Sequence, residues 1–461
     1  MQFKKTLLAA SALMSAAAWA PQAHAIPAFA RQVGMACSAC HYQHFPVLNQ
    51  FGRAFKAAGF TMVGSEEKIE GDGLSIPAVL NLAFVTNLAY TKTNGPTTGA
   101  TPTTKTSNNG QFQMTQYSLF MGGRVGENIG FEGEVGLTGG NGGANLASVK
   151  LPFSYDMAGG KFDIIPFTTD GLGPQQGFEP LSDGATPVHL FNQQDMAAIG
   201  AYEYITASNP LGTPQAIPAF GAALVYYNDM GFVNFTKWGA DSINGVHTGP
   251  GTATGTGSPT SNYLRLAWTP SNLIPGFDTA VGIQYFSGTS STTNNGAAPV
   301  FAGTYTTKAT GVDGQMMGDV GGMPLTFIAS YMRAPASAWS GVTPGSAVIA
   351  QGSNLFNQGN MTKSSFNMGA ELGVLPNKAT VQLGIRRANA GIAVPNVAGN
   401  VAGSNATDNA IMVGATYNIA LNVRAELTFS KYSGDMYNAV AQAAPGYTGD
   451  KMTTLNLWMG F

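Results

Sequence analysis

From about residue 77 to the end of the chain, apolar residues alternate with small or polar ones at period two. In KMTTLNLWMGF, Leu455, Leu457, Met459 and Phe461 share one face, and Thr454, Asn456, Trp458 and Gly460 share the other. NIGFEGEVGLTG sets Ile129, Phe131, Val135 and Leu137 against Gly130, Glu132, Glu134 and Gly136. KATVQLGIRR sets Ala379, Val381, Leu383 and Ile385 against Thr380, Gln382, Gly384 and Arg386. Successive strand residues point to opposite faces. Runs of about ten such residues have the length of a tilted strand that crosses a membrane. The polar face carries too much glycine and charge for the core of a soluble sandwich and suits a wet or plugged lumen. Arg386 and Arg387 are neighbours, so only one of them can be luminal.

The connections between the alternating runs vary in a regular way. Strands are predicted near 77–90, 112–125, 128–138, 143–156, 231–239, 262–269, 277–287, 364–373, 379–388, 409–418 and 421–432. Short turns such as PSNLIPG and LPNK alternate with long Gly/Thr/Ser/Asn loops near 241–261 and 389–408. Outer-membrane barrels have this order, with short turns in the periplasm and long loops outside. The pattern predicts an all-β chain: a transmembrane antiparallel β-barrel of about 16 strands, with 18 possible. Residues 157–217 fit it worst, because DGLGPQQGFEP matches no strand. A terminal Phe461 with apolar residues two, four and six positions earlier agrees with the closing strand of such a barrel.

Composition narrows the class further. Gly is 60 of 461 residues, charged residues are 10% and the net charge is −2, so no basic field for nucleic acid exists. Lys4 and Lys5, an apolar run to Ala20 and the Ala23-His24-Ala25 pattern read as a signal peptide over residues 1–25. Beyond it no apolar run reaches the ~18 residues of a spanning helix. The expected organisation is a signal peptide (1–25), a small plug (26–70) and the barrel (71–461).

Both cysteines of the chain lie in GMACSACHYQHFPVLNQFGRAFKAAGF. Cys37-x-x-Cys40-His41 is a c-type haem attachment signature: two thiols on one helical turn bond to the two vinyl groups, and His41 is the proximal iron ligand. A disulfide or thioredoxin-like pair is the alternative in an oxidising compartment. No βαβ pattern surrounds it, however, and a redox pair does not need the following histidine. About 45 residues make a unit near the lower size limit for independent folding, so the lumen of the following barrel is its natural container. Pro46 is expected to open a helix carrying Leu48, Phe51 and Phe55 on one side and Arg53 and Lys56 on the other. Gly59 is expected to stop that helix.

PAFARQVGMACSACHYQHFPVLNQFGRAFKAAGF followed by a barrel pattern resembles the fused monohaem cytochrome–porin proteins, outer-membrane iron oxidases of Fe(II)-oxidising bacteria. The likeness is close over residues 27–62 and architectural beyond them. It implies one haem c in a lumenal plug, extracellular Fe(II) as electron donor and a periplasmic cytochrome as acceptor. Met62, just past Gly59, is the distal iron ligand chosen here. His44, Met35, His189, His247, a merely packed Met62 and an open sixth position stay as alternatives. Glu132 and Glu134 are expected in the lumen, as transient Fe²⁺ ligands or as partners of Arg31, Arg53 or Lys56. Three function classes remain: an electron conduit, a diffusion porin with a haem-stapled plug, and a haem enzyme for another small donor. No serine triad, P-loop or zinc spacing suggests different chemistry.

Overall fold

The computed structural model describes residues 27–64, 66–78, 80–94, 110–137, 144–182, 200–206, 217–240, 259–271, 273–292, 303–337, 352–357, 359–393, 403–420, 422–437 and 449–461. The signal-peptide segment 1–25, His189 and His247 lie outside these residues.

Sixteen antiparallel strands close into one barrel. They are β1 Leu82–Thr93, β2 Gln111–Gly126, β3 Ile129–Gly136, β4 Asn145–Lys150 with Phe153–Met157, β5 Gly160–Thr169 and β6 Ala219–Asn228. Next come β7 Gly231–Ala240, β8 Ser261–Trp268, β9 Phe277–Thr292, β10 Gly303–Thr306 with Ala309–Val320, and β11 Met323–Ala334. The last five are β12 Lys363–Leu375, β13 Ala379–Ala393, β14 Asn405–Ala420, β15 Val423–Ser433 and β16 Lys451–Gly460. Closure is made by β16 against β1, with Leu457 opposite Leu88 and Gly460 opposite Val85. β4 is interrupted at Leu151-Pro152, where proline has no N–H for the ladder.

The faces are inverted relative to a soluble protein. Leu455, Val381, Leu383 and Val413 are exposed on the outer surface, while Thr454, Asn456, Gln382 and Arg386 are buried. No helix among the described residues is long and apolar enough to cross a membrane. Every strand instead hands its N–H and C=O groups to two neighbours, the condition for crossing hydrocarbon with strands. Short turns at 127–128, 158–159, 229–230, 321–322 and 376–378 gather at one end, and the long connections gather at the other.

Three short helices, α1 Pro27–Val33, α2 Cys37–Cys40 and α3 Gln50–Ala57, form the plug. The ion pairs of the plug segment with the wall, Arg53 to Asp278 and His44 to Glu371, lie near the short-turn ends of the strands. A two-stranded hairpin, Lys68–Gly71 with Leu74–Pro77, follows outside the barrel, so the wall begins at Leu82 rather than near residue 77. Of residues 157–217, the described ones include β5, an inward-folded segment at 171–182 and a lumenal helix, α4 Ala201–Thr206; 183–199 and 207–216 lie outside the described residues. Phe178, Leu181, Tyr202 and Ile205 there are almost wholly buried.

Candidate functional site

The attachment motif is built by local chain geometry. Cys37–Cys40 forms a single helical turn, and the His41 N–H donates to the Cys37 carbonyl (2.8 Å). Asn49 then joins the two helices of the site. Its Oδ1 accepts from the Gly52 N–H at the start of α3 (3.0 Å), and its Nδ2 donates to the Ala39 carbonyl (2.9 Å). This cap starts α3 at Gln50, not at Pro46, because residues 41–48 form a tight loop closed by Tyr42 N–H to Val47 C=O (2.8 Å). Gly52 is the close approach between the helices: a Cβ there would stand 2.2 Å from the Cys40 carbonyl oxygen. Gly59 ends α3 at φ +60°. The bonds Phe60 N–H to Phe55 C=O (3.2 Å) and Gly59 N–H to Lys56 C=O (3.1 Å) make a Schellman closure.

A cavity of about 250 Å³ opens between the plug and the wall, lined by Cys37, Cys40, His41, Phe55, Lys56 and Phe60 on the plug side. One bound water needs roughly 10–15 Å³ on the same measure, so this space has the scale of an organic cofactor. The wall side carries Phe120, Met121, Glu132, Glu134 and Lys150. Neither thiol is in a disulfide, and burial pushes the Cys40 thiol up. A nucleophilic redox cysteine has the opposite shift.

His41 stands edge-on to Phe45 (5.4 Å between centroids), which in turn stacks on Trp458 of β16 (5.7 Å). Burial pulls the His41 imidazole down to about 4, the Pro46 and Val47 carbonyls opposing and the charges of His44 and Arg424 adding. The ring is therefore neutral at neutral pH, as a metal ligand must be. Its Nδ1 is buried without a hydrogen-bond partner. Two thiols on one turn outside any disulfide, a neutral imidazole beside them and a largely apolar cavity in front of all three fit a covalently attached haem.

The other ligand candidates are placed differently. Met62 packs in an apolar cluster with Phe29, Val33, Phe55 and Phe60, and it is not among the residues lining the cavity. Met35 and Met121 do line it. His44 is turned to the wall: Nε2 meets Glu371 Oε1 (2.6 Å) and Nδ1 faces Arg424 Nη1 (2.6 Å). This contact and the paired bonds from Arg53 to Asp278 (2.9 and 2.7 Å) anchor the plug. Arg53, 2% exposed, faces the wall, and Phe51 points away from the packed side, 38% exposed. The cavity is therefore lined by Leu48, Gly52, Phe55 and Lys56: of the expected Leu48–Phe51–Phe55 stripe only Phe51 is turned away, and Lys56 joins the cavity side.

Glu132 and Glu134 both reach the cavity, but the partner of Glu132 is Lys150 on the adjacent strand (3.1 Å), not a plug cation. Glycine on this face has a packing role, since a Cβ on Gly130 would stand 1.7 Å from the Gly59 carbonyl oxygen of the plug. Farther along the lumen, the inward segment is fixed by Glu179 to Arg265 (2.8 Å), Gln175 to Gln284 (3.1 Å) and Ser182 N–H to Gln315 (2.7 Å). Beyond it α4 seats Tyr202, Tyr204 and Ile205 among Trp238, Phe286 and Phe356. Arg386, the luminal member of its pair, is bonded to Asp408, which also accepts from the Tyr204 hydroxyl (3.1 Å). Of these residues, Lys150, Glu179 and α4 carried no signal in the sequence. Lys56 was visible only as a charge on a helix face.

No protein-family model and no curated protein matches the chain. Solved outer-membrane proteins share its fold. Pseudomonas putida OprB in its high-pH structure is 11% identical with a TM-score of 0.50, covering 82% of this chain and 93% of that one. Salmonella typhi OmpF in complex with daunomycin is 14% identical with a TM-score of 0.45, covering 86% and 100%. An anion-selective porin from Comamonas acidovorans is 11% identical with a TM-score of 0.43, covering 83% and 99%. The likeness to OprB is one of fold, the closed antiparallel β-barrel of an outer-membrane protein.

Proposed function

We propose that the protein is an outer-membrane electron conduit of the fused monohaem cytochrome–porin type. It oxidises extracellular Fe(II) at one haem c and passes the electrons to a periplasmic cytochrome. The observation that carries this reading is the convergence of Cys37, Cys40 and His41 on one cofactor-sized cavity in the barrel. Haem supplies a one-electron couple that needs no bond making. Each Fe(II) loses one electron to become Fe(III), and the oxidised periplasmic cytochrome gains it; no atom changes hands.

The chain's residues divide the remaining work. Cys37 and Cys40 hold the group by thioethers, and His41 binds its iron. Phe29, Phe55 and Phe60 exclude water from it. Arg53 and His44 fix the plug against the wall. With the short turns in the periplasm, the plug end faces the acceptor and iron stays on the loop side.

The porin fold also favours a second reading, a diffusion channel with a stapled plug. The filled lumen at 171–182 and α4 weighs against an open path through the described residues. In the Cys37→Ala, Cys40→Ala double variant, covalent haem staining is expected to disappear while a heat-modifiable barrel persists in the outer membrane. Staining that survives the double variant would refute the assignment.

A further inference from the structure

Two ammonium groups lie on the cavity, Lys56 from α3 and Lys150 from β4, with the carboxylates of Glu132, Glu134 and Glu179, and among the described residues no carboxylate is hydrogen-bonded to Lys56. Lys56 has three N–H donors and one hydrogen bond, to the Glu179 backbone carbonyl (2.8 Å). The Glu179 carboxylate is engaged elsewhere, by Arg265 Nε (2.8 Å) and the Leu181 N–H (3.0 Å). Glu132 serves Lys150 (3.1 Å), which also stands 5.6 Å from the centre of the Phe60 ring. Glu134, farther along β3, interacts with Gln116 (3.5 Å). Enclosure by protein, followed by the charge of Lys150, pushes the Lys56 ammonium down to about 8. An enclosed ammonium with unfilled donors is costly, and an anionic ligand group would supply acceptors for them.

Its position is equally specific. Lys56 is four residues past Gly52, whose backbone lies against the Cys40 carbonyl, so the two share a helix face about 6 Å apart along the axis. A porphyrin held by its vinyl groups at Cys37 and Cys40 carries two carboxylates on a different edge. We propose that Lys56 and Lys150 form the cationic cradle for those carboxylates. This assignment rests on the haem reading above. Lys56 is the principal partner because its remaining donors open on the cavity. Lys150 is shared with Glu132.

The test is a spectroelectrochemical titration of the full-length detergent-purified protein between pH 5 and 9, for wild type, Lys56→Met, Lys56→Arg and Lys150→Met. The titratable groups facing the cradle are Glu132, Glu134, Glu179, Cys40 and His41, and all are unchanged in these variants. A neighbouring positive charge opposes oxidation of the iron and keeps the carboxylates ionised. Lys56→Met is therefore expected to lower the midpoint potential at pH 8 and to make it rise as pH falls, as a carboxylate regains its proton. Lys56→Arg keeps the wild-type profile, and Lys150→Met shifts it less than Lys56→Met. Redox-difference infrared spectra of Lys56→Met gain a protonated-carboxyl band, which a purely structural role of the lysine would not produce. Covalently loaded Lys56→Met and Lys150→Met proteins with the wild-type potential and pH profile would overturn the cradle and leave the haem reading standing. Failure of Lys56→Met to load haem while Lys56→Arg loads normally supports the cradle. Wild-type protein without covalent haem would overturn both.

Discussion

The two ends of the lumen are filled by different means. At the short-turn end the plug leaves a cavity, and polar bonds and backbone-to-backbone approaches hold it: Arg53 to Asp278, His44 to Glu371, Gly59 against Gly130. Toward the long-loop end the described residues of the inward chain are packed against the wall. Tyr202, Tyr204 and Ile205 are at most 1% exposed among Trp238, Phe286 and Phe356. The first arrangement reserves volume for something else; the second closes the barrel with its own side chains. Among the described residues, then, the cavity lies beside the cysteines, while the segment at α4 is packed by its own side chains.

The largest expected effect breaks the cavity end. His41→Ala removes the one iron ligand fixed by the motif, and reduction of the haem by Fe(II) should be abolished while the thioethers remain, read from optical spectra. The opposite end is next: replacing Tyr202, Tyr204 and Ile205 together with Ala removes the packed closure, each aromatic truncation costing about 3–5 kcal/mol. Planar-bilayer recordings should then show an ion current larger than that of wild type, with the haem spectrum kept. An intermediate effect is expected of Gly130→Val, whose Cβ cannot coexist with the Gly59 carbonyl at 1.7 Å. The plug should become protease-sensitive and haem loading should fall, while the barrel stays heat-modifiable.

Lys56 gives a smaller, pH-dependent effect in the haem-free Cys37→Ala, Cys40→Ala protein. Its value is lowered from 10.5 to about 8, so between those values the unfolded chain binds more protons than the folded one. Plug stability, followed by proteolysis, should rise with pH across that window, and Lys56→Met should remove the rise. The smallest effect is that of Met62→Ala, for which the packing of Met62 outside the cavity lining predicts an unchanged haem spectrum. Loss of a Met-type long-wavelength band would restore Met62 as distal ligand.

The wall was legible because lipid and lumen impose opposite chemistry on alternate residues. Leu455 and Thr454, or Leu383 and Gln382, declare their faces without tertiary information. Cys37, Cys40 and His41 stood out by their fixed spacing, and the structure brings the three to one cavity. Residues 171–182 and α4 were not legible, since a lumenal segment obeys neither period two nor a membrane length and looks like any loop. The start of α3 was misplaced because Pro46 is a generic helix opener, whereas the actual cap, Asn49, depends on bonds to Ala39 and Gly52. The partner of Glu132 was missed for the same reason: Lys150 is adjacent only through the register that sets residue 132 opposite residue 150.

The most direct test of the central claim is the absorption spectrum of intact cells carrying the oxidised protein, recorded before and after anaerobic addition of Fe(II) outside. The account predicts conversion to the ferrous haem spectrum in wild type and none in His41→Ala. Wild-type haem that stays ferric in excess Fe(II), yet is reduced by dithionite, would contradict iron as the donor.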